Sequence, residues 1–325
     1  MRVTLLASAL GLALVAADGP YPAGGQPAAK VPRVGLLVNN RGPHVDALEQ
    51  GLRDLGWQDG KTVSVVRRSA EGRTERLPAL AAELVRDGID VIVAPDPPST
   101  SAAQAATRTI PIVSRSSNDP VMSGLVATLA RPGGNITGVY SLYEALGPKR
   151  LELLKQAVPG LTRVAVLWDP AFEGNSVRFE ATERAARALG LQVHSVAVEH
   201  MQRLEEAFRA AKRERASALI TLRTPRVIAE KARIVELAAR HRLPAMYDER
   251  EFVEAGGLMA YGANLDDLYR KLAVYADRIL KGARPGELPV EQATTFELVV
   301  SRKAALALGL TLPPSFLLRA DHLIE

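Results

Sequence analysis

The chain alternates short apolar runs with amphipathic stretches, and this alternation occurs twice in succession. Strands separated by helices at such spacing form βαβ units with parallel sheets. Two successive runs in 325 residues exceed one ordinary core. We therefore predict an α/β fold with two Rossmann-like lobes. The predicted strands are 34–38, 62–67, 89–94 and 110–113 in the first run, and 163–168, 191–198, 218–222 and 244–247 in the second.

The last part of the chain does not continue this regular alternation of strands and helices. It offers a strand at 258–261, a helix at 265–281 and a strand at 294–301. These elements are too few for a third domain, so we expect them to complete the two sheets. Asp248 and Glu251, just before this tail, have the spacing of a capping box.

Residues 111–140 concentrate polar side chains at one strand end. A buried strand is followed by Ser114, Ser116, Ser117 and Asn118, and Asp119-Pro120 then predicts the start of a helix over 121–130. A strand at 136–140 closes the unit. Open parallel sheets bind ligands where a strand's carboxyl end meets a helix's amino end, so we expect a ligand here.

The first residues resemble an export signal. An apolar run from Val3 to Ala17 follows one arginine and ends in small residues, and a Pro/Gly-rich linker covers 18–32. The run is shorter than the roughly 20 residues of a spanning helix. We predict a cleaved signal peptide over 1–17. The chain has no cysteine, so we expect a soluble periplasmic protein that is not a lipoprotein.

Charge and motif spacing argue against several functions. The 41 Lys and Arg residues are interspersed with 36 Asp and Glu residues, and no basic block indicates a nucleic-acid partner. No Gly-x-Ser-x-Gly elbow occurs, and the five histidines are scattered. The 56–62 stretch has three residues between its glycines where a phosphate loop needs four. We expect no enzyme, no catalytic residue, no metal and no cofactor.

Strand-to-helix loops of the first lobe supply the first half of a candidate binding site. Hydroxyls and amides beside unpaired backbone N–H groups can hold a carboxylate without a full countercharge. The alternative is that each side chain only caps its own helix. Arg115 could add a bidentate contact to a carboxylate or could point to solvent. The candidates are Asn39, Asn40, Asp96, Pro98, Ser99, Thr100, Ser116 and Asn118.

The second half of the site is predicted at strand ends of the second lobe and beside the crossing to it. Aromatic residues are only 5% of the chain, so rings at strand ends suggest a stacking wall for an apolar or aromatic part of a ligand. For Tyr247 and Tyr261, core packing is an equal alternative. The candidates are Tyr140, Trp168, Asn175, Arg223, Tyr247 and Tyr261.

Four long segments carry a resemblance to a known family. They are GLVATLARPGGNITG at 124–138, LGPKRLELLKQAVPG at 146–160, and the two stretches 236–285 and 288–325. In this respect the chain resembles ABC transporter substrate-binding proteins with the type I periplasmic-binding fold. The resemblance implies three crossings between lobes, near 138–140, 260–264 and 290–296. Lobe 1 would then comprise 33–138 plus about 263–292, and lobe 2 would comprise 139–262 plus about 293–325.

The resemblance also implies a function. Such a receptor, expected to be a monomer, closes its lobes on a small ligand and presents it to an ABC permease in the inner membrane. Some relatives bind aromatic amino acids or related carboxylates. We therefore expect an amino acid or another small carboxylate, with aromatic ones among the candidates.

Two departures leave the identity of the ligand open. The family usually has a Gly-rich loop where this chain has Asp96-Pro97-Pro98, and often Gly or Ala at 115–117. A ligand-sensing partner of a membrane signalling protein would look identical in its binding lobes, and a cleft enzyme is the weaker alternative. A transcriptional regulator would need an N-terminal helix-turn-helix in place of the apolar leader.

Overall fold

The computed structural model describes residues 31–141, 143–172 and 174–325. The predicted signal peptide and almost all of the linker lie outside these residues. Across the described ranges, no helix combines the length and apolar character needed to cross a bilayer.

Strands and helices alternate along the chain as the sequence pattern predicts. The first half contains β1 Arg33–Val38, α1 His44–Asp54, β2 Ser64–Ser69, α2 Leu77–Arg86, β3 Val91–Ala94, α3 Pro97–Ala106, β4 Ile112–Ser116, β5 Ile136–Tyr140 and α4 Gly147–Ala157. The middle contains β6 Arg163–Trp168, α5 Asn175–Ala188, β7 Gln192–Ala197, α6 Leu204–Arg213, β8 Ala218–Thr221, α7 Pro225–Ala229, α8 Lys231–Arg240, β9 Ala245–Tyr247 and α9 Arg250–Glu254. The last part contains β10 Met259–Ala263, α10 Leu265–Leu280, β11 Glu291–Gln292, β12 Phe296–Ser301, α11 Arg302–Ala307, α12 Pro314–Leu317 and β13 His322–Ile324.

Lobe 1 is built on a six-stranded sheet in the order β11-β5-β4-β3-β1-β2. Every neighbouring pair in it is parallel. Helices α1 and α10 cover one face and enclose a core with Leu48 and Leu272, while α2 and α3 cover the other face around Leu84 and Ile92. Burial on both faces explains why these strands read as continuous apolar runs rather than alternating ones.

Lobe 2 is built on a seven-stranded sheet in the order β13-β12-β10-β9-β8-β6-β7. Every neighbouring pair in it is parallel except β10 with β12, so β12 and β13 run opposite to the other five strands. Helices α4, α5, α11 and α12 enclose one core, and α6 to α9 enclose the other. The tail thus completes both sheets, as expected.

The chain crosses between the two sheets three times. It leaves the first sheet after β5, returns between β10 and α10, and crosses again between β11 and β12. The predicted two-lobed fold with three crossings is therefore confirmed. The residue boundaries assigned to each lobe stay a prediction.

The helix predicted over 121–130 is wrong. Asp119 Oδ1 accepts hydrogen bonds from the backbone N–H groups of Val121 at 2.8 Å and Met122 at 3.2 Å, as at a helix start. Gly124 then adopts a φ of +69°, and the N–H groups of Leu125 and Val126 both turn back to the Pro120 carbonyl. A left-handed residue ends helical geometry, so only a turn forms.

Candidate functional site

The carboxyl ends of the strands in the two lobes face each other across a cleft. Arg223 Nη1 donates to Ser117 Oγ across it at 3.2 Å, and Arg178 Nη2 donates to Asn118 Oδ1. We call this region the interlobe cleft. Its members are Arg115, Ser117 and Asn118 from lobe 1, Tyr143 from the first crossing, and Arg150, Arg178, Arg223, Asp248 and Glu249 from lobe 2.

A buried ion pair lies in the cleft. Arg223 Nε is 2.5 Å from Glu249 Oε1, and the two side chains are 13% and 3% exposed. Burial opposes both charges, but each partner outweighs it, so the pKa of Glu249 is lowered and the pKa of Arg223 is raised. Both groups are therefore charged near neutral pH.

Tyr143 lies between two guanidinium groups. The Cζ atoms of Arg150 and Arg223 are 5.7 and 5.2 Å from its ring centroid, within the range of cation–π attraction. Its hydroxyl donates a long hydrogen bond to Glu249 Oε1 at 3.5 Å. Burial and the charge of Glu249 raise the pKa of this phenol. Tyr143 thus supplies an uncharged ring at the base of the cleft.

Asp248 and Arg150 oppose each other without a direct hydrogen bond. Arg150 Nε donates to the carbonyl oxygen of Tyr261 at 2.7 Å, while Arg150 Nη2 and both carboxylate oxygens of Asp248 have no hydrogen-bond partner among the described residues. Burial raises the pKa of Asp248 to about 6, although the charge of Arg150 opposes this increase. Both side chains line a cavity of about 20 Å³, which has room for roughly one water molecule.

Further buried polar atoms have no partner among the described residues. Buried polar groups are normally hydrogen-bonded, so such atoms at a cleft are candidates for contact with a ligand. In lobe 1 and the first crossing they are Ser99 Oγ, Arg115 Nη1 and Ser141 Oγ, and in lobe 2 they are Asn175 Oδ1 and Thr221 Oγ1.

Several predicted residues of lobe 1 are engaged in local hydrogen bonds. Asp96 caps α3 by accepting from the Ser99 N–H at 2.9 Å, and it also accepts from the Asn39 N–H at 3.0 Å. The Thr100 hydroxyl donates to the Ala94 carbonyl oxygen at 3.0 Å, and the Ser116 hydroxyl donates to that of Asn118 at 2.8 Å.

The remaining lobe 1 candidates differ in exposure. Asn40 is exposed and Pro98 is half-buried, while Ser99 is fully buried with its hydroxyl free. Asn118 contributes to the cleft through its bond from Arg178. The structure thus brings Ser99 and Asn118 to the expected strand ends with side-chain chemistry suited to a ligand, and their role as ligand contacts stays a prediction.

The predicted aromatic residues pack among neighbours in their own lobes. Trp168 stacks on Phe179 at 4.7 Å and donates from Nε1 to Ser195 Oγ at 2.8 Å. The other contacts are Tyr247 on Phe252 at 4.7 Å, Tyr261 on Phe296 at 6.3 Å, and the Tyr140 hydroxyl donating to Gln292 Oε1 at 3.4 Å. These contacts account for the four side chains structurally, and their ligand role stays a prediction.

Two of the predicted lobe 2 residues are polar. Arg223 lies in the cleft, as described above. Asn175 begins α5, where its Nδ2 donates to the Asp169 carbonyl oxygen at 3.0 Å and its Oδ1 is left free. Both positions are compatible with the predicted binding role.

Sequence reasoning missed five residues of the cleft. They are Tyr143, Arg150, Arg178 and the adjacent pair Asp248 and Glu249, which come from separate parts of the chain. Arg150 and Arg178 extend from helices without a local motif for ligand binding. Only Asp248 and Glu249 could have been predicted from their position, because they directly follow a buried strand. The expected capping box was wrong, since Glu249 occupies the N-cap position without a side-chain bond and Glu251 bonds elsewhere.

Glu251 instead joins the two lobes through a histidine. His44, at the start of α1, is 2.7 Å through Nδ1 from Asp266 Oδ1 of its own lobe and 3.0 Å through Nε2 from Glu251 Oε1 of lobe 2. The ring of Tyr269 lies 5.6 Å away. Burial alone lowers the pKa of His44, but the hydrogen bonds and charges of the two carboxylates outweigh it, so the pKa is raised above 6.5.

We expect ligand affinity to depend on pH through His44. Its raised pKa means that the stability from this bridge between the lobes is fully present below pH 6.5 and is lost as pH rises through the raised value. Replacing His44 with Asn should weaken binding about tenfold at pH 6 and much less at pH 9. Calorimetric titration at several pH values measures this.

The exposed His200 provides the matched control. His200→Asn should keep the pH profile of the wild type. A His44→Asn protein with the wild-type profile would rule out the bridge as the source of the dependence.

No group of three or more His, Cys, Asp or Glu side chains able to hold a metal ion occurs within the ranges that the structure covers. The cleft offers guanidinium, hydroxyl, amide and carboxylate groups around one phenol ring. Such groups can bind a small polar molecule by hydrogen bonds and charge.

The fold and cleft agree with what comparison with other proteins shows. A family model described as ABC transporter substrate binding protein matches residues 39–324, so the chain belongs to this family. Proteins of the family bind a small molecule and work with a permease. More distant solved structures, an ABC transporter solute-binding protein and a periplasmic binding protein/LacI transcriptional regulator, share the type I periplasmic-binding fold.

Three relatives are similar over most of the chain. A tyrosine-binding protein of Clostridioides difficile is 25% identical over 286 residues, which cover 86% of this chain and 82% of the relative. A conserved domain protein from Vibrio cholerae is 27% identical with a TM-score of 0.81, covering 90% of this chain and 100% of the other. An ABC domain from Streptococcus pneumonia in complex with L-Trp is 24% identical with a TM-score of 0.80, covering 90% and 99%.

Proposed function

We propose that this protein is an extracytoplasmic receptor that closes its two lobes on a small carboxylate, such as an amino acid, and delivers it to an ABC permease. The observation that carries the proposal is the interlobe cleft itself. Polar atoms without partners lie on both of its sides, and hydrogen bonds from Arg178 and Arg223 already cross it. Groups that can contact a ligand from both lobes favour the closed state when the ligand binds.

The chemistry of lobe 1 supports a carboxylate. Ser99 Oγ is buried in the first turn of α3 and has no hydrogen-bond partner among the described residues, so its hydroxyl can donate to a carboxylate. Arg115 adds a buried guanidinium at the end of the neighbouring strand. The tyrosine- and tryptophan-binding relatives support an amino acid or related acid as the ligand class. We assign the cleft no catalytic step.

A thermal-shift screen tests the ligand class. The probes are L-tyrosine, L-tryptophan, L-glutamate, 3-phenylpropanoate and D-xylose. A probe at 100 times its dissociation constant should stabilise the protein by about 2.7 kcal/mol and raise the melting temperature by a few degrees. Stabilisation by the sugar alone would contradict a carboxylate ligand.

The Ser99 hydroxyl should contribute to affinity for the carboxylate that binds. Because its Oγ has no other partner, Ser99→Ala should weaken binding by roughly fivefold to tenfold and leave the free protein as stable as the wild type. Ser101→Ala, an exposed change in the same helix, is the control and should bind normally. Equal affinity of the two variants for the carboxylate would show that Ser99 does not contact the ligand.

A further inference from the structure

Arg115 is a buried cation without an ion-pair partner among the residues that the structure describes. Its residue exposure is 3%, its Nε donates to the Pro95 carbonyl oxygen at 2.9 Å, and its Cζ lies 6.0 Å from the ring centroid of Tyr269. Its Nη1 has no partner, and it forms no ion pair with any side chain that the structure describes. A buried charge is costly unless it is paired, so this guanidinium is positioned for an anion from outside the chain.

The guanidinium of Arg115 acts across the interlobe cleft. Together with the charge of Arg223, its positive charge contributes to the lowered pKa of Glu249 on the opposite side, and it partly opposes the rise that burial causes in the pKa of Tyr143. Glu249 cannot neutralise it fully, because that carboxylate is already bonded to Arg223 at 2.5 Å. Arg115 therefore remains available to a ligand held between the lobes.

The described charges of the cleft are out of balance. The cleft as defined above contains the guanidiniums of Arg115, Arg150 and Arg223 and the two carboxylates of Asp248 and Glu249. The nearby carboxylate of Asp96 already accepts from the backbone N–H groups of Ser99 and Asn39. A ligand with one net negative charge balances the one excess positive charge of these three guanidiniums and two carboxylates. A neutral zwitterion leaves it in place.

We propose that the ligand of this cleft is a net anion and that Arg115 selects for its negative charge. The ligand class is a carboxylate without a balancing ammonium group or an acidic amino acid with two carboxylates. Its carboxylate accepts from Arg115 Nη1, and Ser99 Oγ, close to Pro95 in the chain, is a second donor. This inference rests on the proposed function, since it narrows the ligand of the same cleft.

Calorimetric titration with matched probes tests the proposal. L-Phenylalanine and 3-phenylpropanoate differ only in the ammonium group, and L-glutamate supplies the acidic amino acid. We expect the tighter of the two anions to bind at least roughly tenfold better than L-phenylalanine. Preference for L-phenylalanine would overturn the net-anion inference and leave the carboxylate receptor standing. Binding of none of these probes, or of D-xylose alone, would overturn both.

Replacing Arg115 tests its selective role. In Arg115→Met the dissociation constant of the anion should rise about 30-fold or more, while that of L-phenylalanine should rise clearly less, because its ammonium group already offsets its carboxylate. Arg115→Lys should restore part of the affinity, because it restores the charge. Equal losses for anion and zwitterion would contradict charge selection.

A measurement without ligand separates this role from a structural one. Because Arg115 has no ion pair to lose, ligand-free Arg115→Met should unfold at the same urea concentration as the wild type or a higher one. A clearly lower midpoint would show that Arg115 holds the fold together, and the proposal would fail.

Discussion

Replacing Arg223 with methionine should destabilise the protein by about 3–5 kcal/mol. The change leaves Glu249, which is 3% exposed, as a buried carboxylate without its partner at 2.5 Å. It also removes the bond from Arg223 to Ser117 of the opposite lobe. Urea denaturation of the ligand-free protein measures the loss as a lower midpoint.

A second variant identifies the cause of that loss. Arg223→Met combined with Glu249→Leu removes both charges, so the double variant should be more stable than Arg223→Met alone. Arg203→Met is the matched control, because its ion pair with Glu206 is largely exposed, and it should cost less than about 1 kcal/mol. Strictly additive losses in the double variant would contradict an unpaired charge as the cause.

Replacing Gly138 with alanine should destabilise lobe 1 by about 3 kcal/mol or more. Gly138 lies in β5 with a φ of +139°, and a Cβ there would be 2.0 Å from the carbonyl oxygen of Ser114 in β4. The added methyl group must push two hydrogen-bonded strands apart, and the backbone angle adds strain. The urea midpoint should fall, and the yield of folded protein should fall with it.

Gly134 offers the matched control four residues earlier. A Cβ on Gly134 meets no atom within 4 Å, and its φ lies outside the left-handed region. Gly134→Ala should therefore change stability by less than about 1 kcal/mol in either direction. If the two alanine variants unfolded at the same midpoint, close backbone approach at Gly138 would not be the reason for its glycine.

The fold could be predicted from the sequence because strands that are buried on both faces need unbroken runs of apolar residues. Strands such as Val91–Ala94 are covered on both faces and appear as unbroken apolar runs between helices. Crossings between lobes have no such local sequence pattern, and they were predicted only through the resemblance to a family. The helix expected over 121–130 failed because Gly124 reverses the backbone after one turn.

The site was predicted less completely, for a different physical reason. Arg150, Arg178 and Glu249 come from separate elements and meet only in the folded protein. No spacing in the sequence therefore predicts that they share one cleft. Trp168 and Tyr247 looked like a stacking wall because they end strands, but their rings stack on Phe179 and Phe252 of the same lobe. Ser99 was predicted from its loop position, and its free buried hydroxyl supports that prediction.

The central claim is that ligand binding closes the two lobes. Met122 of lobe 1 and Val177 of lobe 2 are 86% and 62% exposed, and they adjoin the contact between Asn118 and Arg178. Because the chain contains no cysteine, Met122→Cys and Val177→Cys place spin labels at these two positions alone.

The distance between the two labels, measured by pulsed electron paramagnetic resonance, tests the claim most directly. Titrations should use 3-phenylpropanoate, L-glutamate and L-tyrosine, with D-xylose as the uncharged comparison. We predict that a saturating carboxylate shifts the distance distribution to shorter values and narrows it. An unchanged distribution at full saturation would contradict closure as the mechanism of this receptor.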